Sequence, residues 1–141
     1  MESVKKIKNS KHNFEEVDLM NKQADDARKD NNNLSLAISK EAISISQLLG
    51  YTKGMAKAYL NAGISCRLSS NFEAAIDYYN EALRLYKNLK DIKGESRTLN
   101  AIANVYNNLS NFEKAIEYYD ECIYVLQTIG DINFEATVIT N

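Results

Sequence analysis

Fourteen residues from Ser70 to Leu83, Ser-Asn-Phe-Glu-Ala-Ala-Ile-Asp-Tyr-Tyr-Asn-Glu-Ala-Leu, return from Ser110 to Ile123 as Ser-Asn-Phe-Glu-Lys-Ala-Ile-Glu-Tyr-Tyr-Asp-Glu-Cys-Ile, a step of forty. A unit of that size cannot bury its own apolar face, so a chain that repeats it has to stack neighbouring units into one continuous core. Within the unit Ala75, Tyr79 and Ala82, with Ile76 and Leu83 beside them, recur at helical spacing. Ser70 stands three residues before Glu73, the spacing of a capping box, which predicts a helix start there. The segment is the second helix of a hairpin.

The period organises the rest of the chain. Subtracting forty aligns Ile38 with Tyr78, Ala42 with Ala82, Ile45 with Leu85 and Leu49 with Leu89. A helix therefore runs to about Leu49 with Leu34, Ile38, Ala42, Ile45 and Leu49 along one face. Before it, Phe14, Val17, Leu19 or Met20, Ala24 and Ala27 outline a first helix ending near Lys29, and Asp30-Asn31-Asn32-Asn33 supplies the turn. Gly50-Tyr51-Thr52, Lys90-Asp91-Ile92 and Gly130-Asp131-Ile132 are matching joints, with Asp91 and Asp131 placed as N-caps. Residues 1–12 form a flexible basic leader, with Lys5, Lys6, Lys8 and Lys11 against Glu2. Residues 13–141 form the array, with hairpins at about 13–50, 51–90 and 91–130 and a half-hairpin at 131–141. Phe134, Ala136, Val138 and Ile139 do not make the polar outer face of a capping element, so the sequence reads as part of a longer chain.

Composition narrows the function. The 141 residues include no proline, are 45% hydrophobic and carry a formal charge of −2. That balance suits a helical domain and gives no field that would draw it onto nucleic acid or an anionic membrane. The start of the chain lacks the apolar run of a signal peptide, and no segment has the roughly 18 apolar residues of a membrane span, so a cytoplasmic location is expected. Cys66 and Cys122 fall where the neighbouring unit carries Tyr106 and Ala82, which reads them as buried, reduced thiols rather than a disulfide or metal site. His12, the single histidine, has no partner for a triad or a metal. No nucleophile with a base, phosphate-cradling glycine loop or ligand set is present, and no enzyme activity or cofactor is expected.

Tyr59, Ala62, Gly63 and Cys66, followed by Phe72, Ala75, Tyr79 and Ala82, resemble the spaced large, small, aromatic and alanine positions of the tetratricopeptide repeat. The next unit holds Leu99, Ile102, Ala103, Tyr106, Phe112, Ala115, Tyr119 and Cys122 at the same places. The resemblance covers residues 52–131 well. The first hairpin departs from it, with Lys22, Gln23 and Asp26 where small or apolar residues belong, so its first helix is shifted by one residue. It implies an all-α fold of antiparallel hairpins stacked as a right-handed solenoid that binds a protein or peptide. The family's usual unit has 34 residues and a proline near its end, whereas here the unit is forty and Lys87 and Gln127 stand at that place. Arrays with longer units resemble regulatory regions of bacterial signalling proteins such as diguanylate cyclases, histidine kinases and peptide-responsive regulators, which implies a sensing or docking role.

The resemblance puts the first helices on the concave side. Their outward positions include Lys57, Leu60, Asn61, Ile64, Arg67 and Leu68 in one unit, and Arg97, Asn100, Ala101, Asn104, Asn107 and Asn108 in the next. A side-chain amide can pair with both the N–H and C=O of an extended peptide. Lys57, Asn61, Arg67, Arg97, Asn100, Asn104, Asn107 and Asn108 are therefore the candidate peptide-binding residues, for a ligand with an acidic residue or free carboxylate. Two readings of the asparagines stand at this point, a functional groove and simple abundance in the chain. Leu60 and Ile64 occupy places where chaperone-binding members carry clamp lysine and asparagine, so the resemblance does not extend to capture of a chaperone tail. The tyrosines of the second helices read as inter-layer core, and exposed ones as a patch for homodimer formation. The alternative to groove binding is a spacer or self-association module.

Overall fold

The structure, a computed structural model, describes residues 13–140, with side chains described from 14 to 129; the basic leader 1–12 and residue 141 lie outside the described residues. Six helices follow one another, with no strand among the described residues: α1 (Asn13–Ala27), α2 (Asn32–Leu49), α3 (Thr52–Leu68), α4 (Phe72–Leu89), α5 (Ile92–Asn108) and α6 (Phe112–Thr140). Each helix packs mainly on its neighbours in sequence, and α3 also meets α1 and α5. This is an all-α repeat solenoid, with its first helices side by side.

Polar residues at the joints fix where each helix starts. Asn31, Asn71 and Asp91 cap α2, α4 and α5 by accepting hydrogen bonds from the backbone N–H of Leu34, Ala74 and Gly94. The expected cap at Ser70 thus moves to Asn71. Ser70 is needed for the chain reversal, where it takes a left-handed backbone (φ 61°), as does Ser110 one period later. Between hairpins Gly50 (φ 66°) and Lys90 (φ 56°) do the same, closing the helices before them.

Small residues set the distance between helices. A Cβ on Gly63 would lie 2.5 Å from the Tyr79 ring, and one on Gly94 2.2 Å from the Tyr86 ring. Ala75, Ala103 and Ala115 are buried beside them, and Tyr79 is fully buried. Cys66 and Cys122 are buried and unpaired, and burial pushes both thiols above their ordinary pKa.

The first hairpin packs differently from the expected face. Ser35, Ser39, Ala42 and Ser46 of α2 are buried, whereas Leu34 is exposed and Ile38, Ile45 and Leu49 are partly so. The serines occupy small places, and two of them answer their own polarity: Ser35 Oγ donates to Ala24 O (2.6 Å) and accepts from Ser65 Oγ (3.1 Å), and Ser39 Oγ donates to Ser35 O (2.9 Å). In α1 the buried residues Val17, Asn21 and Ala24 match Ala56, Leu60 and Gly63 at a step of thirty-nine rather than forty. That rotation by one residue leaves Lys22, Gln23 and Asp26 in solvent. At the other end, α6 extends to Thr140, and the expected joint Gly130-Asp131-Ile132 falls on residues whose side chains lie outside the described ones. A glycine inside a helix costs about 1 kcal/mol, too little to break one by itself.

Gly94→Ala is expected to destabilise the protein by about 1–3 kcal/mol through overpacking on Tyr86, despite alanine's better helix propensity. Ala75→Leu should cost a similar amount. Urea unfolding of both variants measures this; midpoints equal to the parent's would show that the helix contacts are assigned wrongly.

Candidate functional site

The side-by-side first helices leave a cavity of about 420 Å³ between α1 and the N-terminal halves of α3 and α5. Lys53, Lys57, Lys93 and Arg97 wall it with positive charge, and Asp18 and Asp25 of α1 with negative charge. The repeat explains the cationic rows, because Lys53 and Lys93, and Lys57 and Arg97, are each one period apart on helices facing the same way. Tyr86 also lines the cavity, and its phenol pKa is pushed up to about 12, first by burial and then by the neighbouring Asp91 carboxylate.

An amide network supports the α1 side. Asn21, only 4% exposed, donates from Nδ2 to Gly54 O at 3.1 Å. That bond fixes the amide's orientation and leaves Asn21 Oδ1 buried without a hydrogen-bond partner among the described residues, at a residue that lines the cavity. Asn61 donates to Asn21 O (3.3 Å) and accepts from Arg28 Nη2 (3.1 Å). Arg28 in turn reaches Asp25 at 3.2 Å, and Lys57 Nζ lies 3.7 Å from the other Asp25 oxygen.

One carboxylate therefore serves two cations while Arg97 stands nearby. Burial lowers the Lys57 pKa; Asp25 opposes that shift, and the positive charges of Arg97 and Arg28 add to it. Cations crowded in this way favour an incoming anion, whose charge would relieve their mutual repulsion.

Of the eight residues singled out in the sequence, the cavity gathers Lys57 and Arg97. Asn61 is fully buried and is a support for the α1–α3 contact, which corrects its expected place on the groove surface. The cause is the one-residue rotation of α1, which brings Asn21 and Arg28 against it. Leu60 is fully buried as well. Arg67 lies partly buried at the far end of α3, near the Tyr79 phenol, whose burial-raised pKa it partly offsets. Asn100, Asn107 and Asn108 are exposed on α5 outside the cavity. Asn104 accepts a hydrogen bond from the Tyr119 hydroxyl, so its amide is already engaged by α6. Sequence reasoning missed Asn21, Asp18, Asp25, Lys53 and Lys93. A signal for Asn21 existed, since it precedes Asn61 by one period.

Asn61→Ala should destabilise the protein by about 1–3 kcal/mol because it strips partners from buried polar groups, while Asn100→Ala should stay within about 0.5 kcal/mol of the parent. Equilibrium urea denaturation distinguishes the two; similar losses would show that Asn61 is not the support described.

Residues 18–88 match a family model described as tetratricopeptide repeat, and residues 96–125 match a second model of the same description. No curated protein matches the sequence. Among solved structures, the chain is similar to the TPR domain of Arabidopsis FLU, with 26% identity and a TM-score of 0.75, covering 82% of this chain and 98% of that one. It is also similar in fold to aspartyl phosphate phosphatase F from Bacillus subtilis, with 18% identity and a TM-score of 0.79 over 88% of this chain, spanning 33% of the phosphatase. No helix among the described residues is long and apolar enough to cross a membrane.

Proposed function

Because the chain belongs to the tetratricopeptide repeat family, we propose that it is a non-catalytic binding module whose cavity between α1, α3 and α5 takes an extended peptide bearing an acidic side chain or free carboxylate. The observation that carries this reading is the crowding of two cations, Lys57 and Arg97, in one cavity, where only Asp25 offsets the charge on Lys57. A carboxylate answers the cations. Arg97, Asn100, Asn107 and Asn108 extend the track along α5, where amides can hold a peptide backbone. Asn104 serves there only when Tyr119 releases it.

The forty-residue unit supports a place for the array as the sensing or docking region of a larger cytoplasmic signalling protein. The charge of −2 supports a protein partner over nucleic acid or an anionic membrane. The competing reading, a spacer or self-association module, leaves the cavity unused.

Fluorescence anisotropy with extended acidic peptides, carrying either a free or an amidated C-terminus, tests the groove. Micromolar binding, about −8 kcal/mol, is expected for at least the acidic free-acid series. Lys57→Gln together with Arg97→Gln should weaken it at least tenfold with little change in Tm. Affinity should be full below the lowered Lys57 pKa of the free protein and fall as pH rises through the higher value that Lys57 has beside a bound anion, because only the ammonium attracts the carboxylate. Absence of binding by the parent, or equal binding by the double variant, would give the spacer reading its place.

A further inference from the structure

The cationic wall of the cavity is built as a ladder. Lys53 and Lys57 stand about one turn apart on α3, and Lys93 and Arg97 about one turn apart on α5, so along each helix the two positions are separated by about 6 Å at 1.5 Å per residue. The two helices lie side by side, with Cα atoms of one within 8 Å of the other. The forty-residue period sets Lys53 level with Lys93 and Lys57 level with Arg97. Two rungs result, each made of one cation from α3 and one from α5. Across one rung the charges already interact, since Arg97 adds to the lowering of the Lys57 pKa that burial begins.

The two sides of α3 are charged differently. Toward α1, acids meet the cations: Asp25 lies 3.7 Å from Lys57 Nζ, and Asp18 accepts from the Tyr51 hydroxyl at 2.7 Å. On α5 the acid of the lining is Asp91, and its carboxylate is engaged in capping the helix through the Gly94 N–H (3.0 Å). Lys53, Lys93 and Arg97 make no ion pair with another described residue. Over the whole lining five cationic residues stand against three acidic ones, an excess of two positive charges, on a chain whose net charge is −2. The ladder ends after two rungs, because the next turn offers Asn100 on α5 and the fully buried Leu60 on α3, neither of them charged.

An extended peptide has the matching period. Its side chains alternate between two faces, so residues i and i+2 share a face and lie about 6.6–6.8 Å apart, close to the spacing of the rungs. Laid across the helices, the same strand would meet rows about 8–10 Å apart, which its repeat does not match. We propose that the groove selects a peptide with two acidic residues separated by one other, extended along the furrow between α3 and α5, with one carboxylate between Lys57 and Arg97 and the next between Lys53 and Lys93. This inference rests on the reading of the cavity as a peptide groove and specifies the sequence pattern that the groove takes. Each carboxylate receives a charge-assisted hydrogen bond from both cations of its rung, and the two negative charges cancel the excess on the lining. The residue between the acids projects to the opposite face of the strand and is free to vary.

Short isomeric peptides, acetylated and amidated so that two aspartates carry their only charge, separate spacing from charge. The aspartates are placed at adjacent positions, at i and i+2, or at i and i+3, and binding to the 141-residue chain is measured by isothermal titration calorimetry without a label. The i, i+2 isomer is expected to bind at least tenfold tighter than either of the others, because it alone seats both carboxylates on rungs. Lys53→Gln with Lys93→Gln should abolish that advantage with an unchanged helical spectrum, since both side chains are exposed. Equal affinities for the three isomers, or an advantage that survives the double variant, would overturn the spacing and leave the groove reading in place. Absence of binding by every acidic peptide would overturn both.

Discussion

In the second hairpin, and where it meets the third, a first helix lies flat on a second where a glycine faces a tyrosine ring, and the rest of the stack builds on these contacts. Gly63 against Tyr79 and Gly94 against Tyr86 leave no space for even a methyl group. The ring supplies the apolar area that holds the layers, while the missing side chain sets how near the axes come. Tyr79 ties the two helices of one hairpin and Tyr86 ties one hairpin to the next, so the same pairing works both within and between units. The forty-residue period is the sequence record of that geometry.

Close packing of the first helices is also what concentrates charge. With α1, α3 and α5 held side by side, rows that are one period apart stand on a common surface, and Lys53, Lys57, Lys93 and Arg97 gather around one cavity. A net charge of −2 gives no hint of this, since the cations are collected by the stacking and not by the composition. Asp25, shared between Arg28 and Lys57, offsets part of the repulsion. It does not remove it, as the lowered Lys57 pKa records. The interaction scaffold of the family thus carries a local electrostatic feature that belongs to this chain's own residues.

Most of the fold was legible in the sequence because period and small-residue spacing are direct consequences of helix packing. Helix bounds from residue 52 to 108 followed from the repeat, as did the buried Ala75, Ala103 and Ala115 and the unpaired cysteines. The first hairpin was harder. Its core faces are polar on paper, and only in three dimensions do Ser35, Ser39 and Asn21 find the partners that make their burial tolerable. The same reasoning misplaced Asn61: Lys22, Gln23 and Asp26 revealed the shift of α1, but not that Asn21 and Arg28 come to hydrogen-bond Asn61. The cap at Asn71 was off by one because a serine that could cap was needed in the left-handed turn.

The two ends of the array differ chemically for one geometric reason. Shifting α1 by one residue turns Ala24 inward and leaves Lys22, Gln23 and Asp26 in water, so the outer side of the first hairpin is polar although its sequence departs from the repeat pattern. On α6 the pattern is kept, and keeping it exposes Ile116, Ile123 and Leu126. Fidelity to the repeat is stabilising inside a stack and adhesive at its surface. The departures of the first hairpin and the regularity of α6 therefore give their outer faces different chemistry, polar on α1 and apolar on α6.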